Sequence, residues 1–270
     1  MKPAQPTSEL IELNGRAPEP RELAFLAQVN YGHFTTMQVR DRGVRGFGLH
    51  LQRLAEATRA LFGSELDLEL VRKHLRRIIS DAPASVRITV FSLALDRAHL
   101  ERPVGVDVLV AASPARAGRA EALRLRSVVH ERTLPLVKHV GTFDLFHHWR
   151  QARLAGFDDA LFCTAAGEVS EGPIWNIGFW DGSKVIWPAA PALPGITRQL
   201  LETGLRALGV HTETRPVFLR DLAGFRSAFI MNSASVGPLV RSIDENRFHP
   251  DAELGSLLVA AHESQPVEAI

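Results

Sequence analysis

Cysteine is almost missing from this 270-residue chain, which has only Cys163. An internal disulfide and a cysteine-rich metal site are therefore excluded, no metal is called for, and the lone thiol fits a reducing compartment. Lysine is nearly as scarce: of the 31 basic residues only Lys2, Lys73, Lys138 and Lys184 are lysines. An excess of either charge is missing too. The formal net charge is +1 and the arginines are dispersed, so a nucleic-acid partner is not implied. No apolar run reaches the roughly 18–20 residues that span a bilayer, and the opening Met1 to Pro6 lacks a secretory apolar core. No membrane partner is expected, and the expected location is the cytoplasm. What is present is apolar material, 46% of the residues, enough for one large or two modest domains.

Residues 1–9 read as a flexible polar tail, 10–112 as an N-terminal α+β domain, 113–120 as a small, polar linker and 121–270 as a second domain. In the first domain, strands are predicted at Leu10 to Leu13, Val86 to Leu95 and Gly105 to Ala112. A hairpin is predicted around Arg40 to Gly43, and helices over Leu49 to Phe62 and Leu66 to Ile79. In the second, strands are predicted at Leu123 to Val129, Ala160 to Thr164, Asn176 to Trp180, Val185 to Trp187 and Ala228 to Asn232. Helices are predicted over Asp144 to Leu154 and Thr197 to Leu208.

Against this background Lys138 stands out, because it sits in the apolar, Pro-containing stretch Thr133 to Gly141. Desolvation there lowers an amine's pKa and makes it a better nucleophile toward an aldehyde; a strand-end lysine with its charge in water is the other reading. Glu171 follows in Val169-Ser-Glu-Gly172, and Leu193-Pro-Gly-Ile-Thr-Arg198 places Gly195, Ile196 and Thr197 at a helix start, where free N–H groups favour a phosphate. A Thr N-cap serves the same sequence without a ligand. Asn232 and Ser233, in a loop after a buried strand, are a second candidate phosphate contact, and Arg53 a candidate guanidinium. An amine, a carboxylate able to meet a protonated ring nitrogen, and an anion-cradling turn, in that order, point to a pyridoxal phosphate (PLP) site.

Taken together these segments resemble the class IV aminotransferases, the fold-type IV PLP enzymes that include branched-chain and D-amino acid aminotransferases and aminodeoxychorismate lyase. The likeness is collinear from about residue 10 to residue 245. Leu13-Asn-Gly15 resembles the opening strand, and Tyr31-Gly32 with Phe34-Thr-Thr36 the segment Tyr/Phe-Gly-Asp-Gly-x-Phe-[Glu/Thr]-Thr. His50-Leu-Gln-Arg-Leu54 is similar to the His-x-x-Arg-Leu helix, and Ser170-Glu-Gly172 with Asn176-Ile177 to the Glu-Gly-x-x-x-Asn motif. Leu193 to Arg198 matches the Pro-Gly-Ile-Thr-Arg loop residue for residue. The resemblance implies a two-domain α+β fold, with a smaller N-terminal α/β sandwich and a larger C-terminal domain built on a barrel-like sheet with helices. It also implies a homodimer with its sites between two domains, a Schiff base on Lys138, and PLP contacts from Arg53, Glu171, Ile196, Thr197, Asn232 and Ser233.

Three segments depart from the family pattern. The loop after Tyr31 is two residues shorter, which makes His33 a pocket candidate or an exposed loop histidine; Tyr31 and Thr36 are further candidate substrate contacts. Thr142 stands near the place of a tyrosine that meets the cofactor hydroxyl, and Trp175 adds bulk after Glu171, either in the pocket or in the core. Arg87, Arg97 and Arg102 are candidate partners for a substrate carboxylate, or ordinary surface arginines. The implied activity is transfer of an amino group between an amino acid or amine and a keto acid. Aminodeoxychorismate lyase chemistry releasing pyruvate, and a non-catalytic PLP-binding homologue, are the alternatives.

Overall fold

A computed structural model describes residues 10–115, 118 and 121–270. The tail read over 1–9 and residues 116, 117, 119 and 120 of the linker read over 113–120 lie outside the described residues. The elements in chain order are β1 (Leu10–Leu13), α1 (Pro20–Gln28), β2 (His33–Val39), β3 (Gly43–Arg45), α2 (Phe47–Phe62), α3 (Leu68–Ile78), β4 (Ala84–Phe91) and β5 (Asp107–Pro114). Then come β6 (Leu123–Val129), α4 (Phe143–Leu154), β7 (Asp159–Cys163), β8 (Asn176–Trp180), β9 (Val185–Pro188), α5 (Ile196–Ala207), β10 (Thr212–Arg215), β11 (Ser227–Asn232), β12 (Ser235–Ile243), β13 (Asn246–Arg247), α6 (Ala252–Glu263) and β14 (Val267–Ala269). The chain is α+β, as its sequence implies.

Two compact units result. The first holds the described residues up to 115 together with Val137–Gly141 and Val267–Ile270; the second holds the rest. In the first, an antiparallel sheet of order β1-β5-β4-β2 has two unlike faces. Val86, Ile88 and Val90 of β4 and Val108 and Val110 of β5 alternate onto Leu51, Leu54, Val71 and Leu75 of α2 and α3. The opposite face carries Phe34, Thr36 and Gln38, paired in register with Thr89, Arg87 and Ser85. Strand period two thus separates an apolar face from a polar one.

Local chemistry sets the element ends. α3 begins at Leu68 rather than Leu66 because Asp67 accepts the Leu70 N–H at 2.9 Å as its N-cap. β4 ends at Phe91, short of Leu95, because the Leu93 N–H turns to Asp107 (2.7 Å) and the Ser92 hydroxyl to the Gly105 carbonyl (2.7 Å). The turn read at Arg40 to Gly43 forms, with reciprocal N–H···O bonds of 3.0 and 2.9 Å across left-handed Asp41 and Arg42. Its second arm, however, pairs with β14 rather than continuing along β2. Glu268 of β14 then accepts the Gly48 N–H (2.9 Å) at the start of α2, whose N-cap Gly46 has no side chain for the task.

The second unit carries a mixed sheet of order β10-β9-β8-β11-β12-β6-β7, with β13 on β12. Ile177, Phe179, Ile186 and Ile230 fill one core, while Val185, Trp187, Phe229 and Met231 pack with Leu201, Leu205 and Leu258 of α5 and α6. Burial on both faces explains why β8, β9 and β11 read as nearly unbroken apolar runs. Among the described residues no helix is long and apolar enough to cross a membrane.

Candidate active site

In the first unit, Lys138 lies in a short extended stretch tied to the start of β2. The Phe34 N–H donates to the Lys138 carbonyl and the Val140 N–H to the Gly32 carbonyl, each at 2.9 Å. This pairing is why Val137–Gly141 belongs to the first unit rather than to the segments on either side. Lys138 Nζ is 4.9 Å from the centre of the Phe34 ring, and the Arg87 guanidinium is 3.6 Å from the same centre. Arg87 is steadied by its Nε–H to Thr89 Oγ1 (3.1 Å) and lies across from Thr36 in the strand register. The sheet thus brings Phe34, Thr36, Arg87 and Lys138 to one face. Arg53, one turn along α2 from buried His50, acts electrostatically on the same histidine as Lys138 does. His50 is pushed down to about 3, first by burial and then by the charges of Arg53 and Lys138, and its Nδ1 meets Thr35 Oγ1 at 2.6 Å.

The surroundings of Lys138 differ from the apolar pocket that its sequence suggests. Lys138 is half-buried, whereas Leu134 and Leu136 are 55% and 72% exposed. Two of the apolar side chains that gave the stretch its buried look point to solvent, while Val137 beside the lysine is buried.

In the second unit, Glu171 is sealed in. Its Oε1 accepts the Leu193 N–H at 3.1 Å and has Arg132 at 3.7 Å, while its Oε2 faces Asn176 Nδ2 at 3.4 Å. The same Asn176 amide donates to the Leu193 carbonyl at 2.9 Å, and a Cβ on Gly195 would collide with Asn176 Oδ1. Asn176 therefore knits the carboxylate to the turn that opens α5. That turn has no side-chain cap, and its first residues, Ile196 and Thr197, are buried. Uncapped N–H groups under a glycine that tolerates no Cβ suit an anion, and a buried carboxylate suits a cationic ring nitrogen. The donor set fits PLP.

The profile of the amino-transferase class IV family matches residues 32–243, most of the chain. The chain belongs to that family. No curated protein matches it. As a class IV amino-transferase it is similar to a hypothetical aminotransferase from Mycobacterium tuberculosis in a PLP-bound form, with 23% identity, TM-score 0.74, and 89% of this chain and 92% of that one covered. It is also similar to the branched-chain aminotransferase of Thermoproteus uzoniensis with norvaline (20%, TM-score 0.79, 94% and 93% covered). A putative 4-amino-4-deoxychorismate lyase from Legionella pneumophila is similar as well (20%, TM-score 0.73, 88% and 92%). These likenesses show the fold, which is fold-type IV.

The remaining family positions fall in varied places. His33 turns away from the face bearing Lys138: it is buried with Nε2 3.0 Å from Thr58 Oγ1, and burial pushes it down to about 4. Parity along β2 decides this, since residues 33, 35 and 37 face the helices. Tyr31 donates its hydroxyl to the Leu61 carbonyl (2.9 Å) and sets its ring edge-on to Phe62. Arg97 is exposed in the turns after β4, and Arg102 is an exposed partner of Glu101. Trp175 is a core residue: its Nε1–H donates to Asp159 Oδ2 at 3.0 Å, and its ring fills the space a Cβ on Gly172 would need. Thr142 is half-buried at the start of α4 and makes no side-chain cap there. Asn232 spends its side-chain oxygen on the Ala234 and Ser235 N–H groups, both at 3.0 Å, in the β11–β12 turn, with Ser233 exposed beside it. Sequence reasoning missed Arg132 and the buried Thr35–His50 pair. No local signal marks Arg132, whose partner lies 39 positions further along the chain, at Glu171.

Proposed function

We propose that the protein is a PLP-dependent aminotransferase that moves an amino group between an amino acid or amine and a keto acid. The observation that carries this reading is the seat of Glu171. A buried carboxylate and an uncapped helix start are joined by one asparagine, within a chain of the class IV family. Bound PLP supplies the electron sink that acidifies the α C–H of an amino substrate.

The chain's own residues take these parts. Lys138 Nζ holds the cofactor covalently, and once released it carries the α proton. Glu171 accepts from the ring N–H and keeps that proton in place. The N–H groups of Ile196 and Thr197 hold the phosphate, with Arg53, Asn232 and Ser233 as further phosphate contacts; Asn232 takes part through the turn it braces. Arg87, on the same face as Lys138 and over the same ring, meets a substrate carboxylate, while Phe34 and Thr36 shape the space around it; Thr142 is kept as a separate candidate substrate contact. A homodimer belongs to the same reading. Val129, Leu134, Leu136, Phe143 and Phe146 are all more than half exposed, more apolar surface than a monomer usually leaves to water. A cytoplasmic location is proposed with it, on the strength of a single, buried thiol.

The lyase reading has one observation in its favour, the comparable likeness to the Legionella protein. The experiment that separates the two is a donor panel. Purified protein is loaded with PLP and mixed with single D- or L-amino acids or amines without a keto acid, conversion of the cofactor to its amine form is followed by absorbance, and pyruvate is then added to restore the starting band. Conversion supports transamination. Release of pyruvate from aminodeoxychorismate without an amino acceptor supports the lyase, and a yellow protein that converts no donor leaves the non-catalytic homologue.

A further inference from the structure

The segment between β6 and Lys138 is built inside out. Leu134 and Leu136 face solvent, yet Arg132 between them and the strand keeps only 5% of its side chain exposed. Leu134 is held at φ 49°, a left-handed conformation that a branched aliphatic residue adopts only under constraint from its surroundings. The same segment turns a guanidinium inward. A buried guanidinium is costly unless it is paired, and here a carboxylate lies within reach: Arg132 Nη1 is 3.7 Å from Oε1 of Glu171, itself 4% exposed.

A second guanidinium acts on the same carboxylate from further off. Arg198 on α5 is pushed down by burial and supported by the charges of Glu202 and then Glu171, while its guanidinium lies 5.5 Å from the Trp187 ring centre. Arg132 is the closer of the two. It shares Oε1 with the Leu193 N–H, so a hydrogen bond and an ion pair from different segments converge on one oxygen of the carboxylate.

Building on the PLP reading above, we propose that Arg132 is a positioning residue. It fixes Glu171 through Oε1, so that the carboxylate is already oriented when a cationic ring nitrogen arrives, and it acts on the cofactor only through Glu171. A fixed acceptor loses less freedom on binding than a mobile one, which is the physical gain.

The test is a double-mutant cycle read on cofactor binding. PLP affinity and the pH dependence of the visible band are measured for wild type, Arg132→Ala, Arg132→Lys, Glu171→Gln and Arg132→Ala/Glu171→Gln. We expect Arg132→Ala to weaken PLP binding by about tenfold or more and to move the midpoint of the band's pH profile, with Arg132→Lys recovering most of both. In the Glu171→Gln background, removing Arg132 is expected to change affinity by less than about threefold, because its route to the cofactor is already gone. Equal losses in both backgrounds would overturn the proposal, as would an unchanged affinity and band in Arg132→Ala. If Arg132→Ala does not fold, the cycle is run with Arg132→Gln, which keeps a polar side chain but removes the charge. Wild-type protein that takes up no PLP at all would sink the cofactor reading instead, a result distinguishable from either.

Discussion

Around Lys138 the first unit leaves its polar sheet face half open, with an amine and a guanidinium gathered on one phenyl ring. Around Glu171 the second unit closes in: a backbone N–H, an asparagine amide and an arginine meet the carboxylate, and a glycine touches the asparagine. The difference separates two ways of building a site. Under the proposed function the open seat holds groups that move or meet a substrate. Under the same reading the closed seat holds a group that stays fixed, so its proposed chemistry and the stability of the unit rest on the same contacts.

The comparison is broken most cleanly at Lys138. Lys138→Ala is expected to lose the visible band and all donor conversion while its unfolding free energy in urea shifts by no more than about 0.5 kcal/mol, since the residue is half-buried. A wild-type-like spectrum would remove Lys138 from its role. On the closed side the two properties should fall together. Gly195→Ala drives a Cβ into Asn176 and is expected to cost about 1–3 kcal/mol in urea unfolding together with a loss of PLP affinity; stability lost with affinity intact would mean that the turn holds no phosphate.

Trp175→Phe sharpens the distinction between core and pocket. It leaves Asp159 without its indole donor, so a loss of about 1–3 kcal/mol is expected with the order of preferred donors unchanged. A reordered donor panel would return Trp175 to the substrate. Acid should weaken the helix-facing side of β2. His33 and His50 are pushed from the ordinary 6.5 down to about 4 and about 3, each by burial first. Each therefore contributes stability that is present above 6.5 and lost as pH falls through the window below it, because the unfolded chain takes up the proton first. Between pH 6 and pH 4.5 each is expected to cost about 1.4 kcal/mol per unit, and His33→Asn should flatten the urea profile by one histidine's share. Smallest of all is Arg97→Ala: exposed after β4, it should leave KM for every donor unchanged, whereas Arg87→Ala raises KM for carboxylate donors.

What the sequence made legible follows the reach of each interaction. The Gly195 to Arg198 turn, the Glu171 and Asn176 spacing and strands such as β6 and β8 are decided within a few residues, and they lie where the sequence puts them. β12 was hidden by Gly237 and Pro238 and by the register shift where it meets β11. β14 was hidden because its partner, β3, stands near the other end of the described chain. His33 shows a different limit: one residue of register decides which face a side chain takes, and a shortened loop leaves that parity open. Lys138 shows a third. Apolar neighbours in a sequence do not tell whether they cover a residue or face the solvent.

The α2 helix, which carries His50 and Arg53, receives its N-terminal acceptor from Glu268, 220 positions later. A ribosome delivers those two parts far apart in time, and Val137–Gly141, which the first unit also needs, emerges in between. The first unit is begun first and completed last. The second unit, begun later, has all its strands and helices in hand before β14 is made, so order of synthesis and order of completion run opposite ways in this chain.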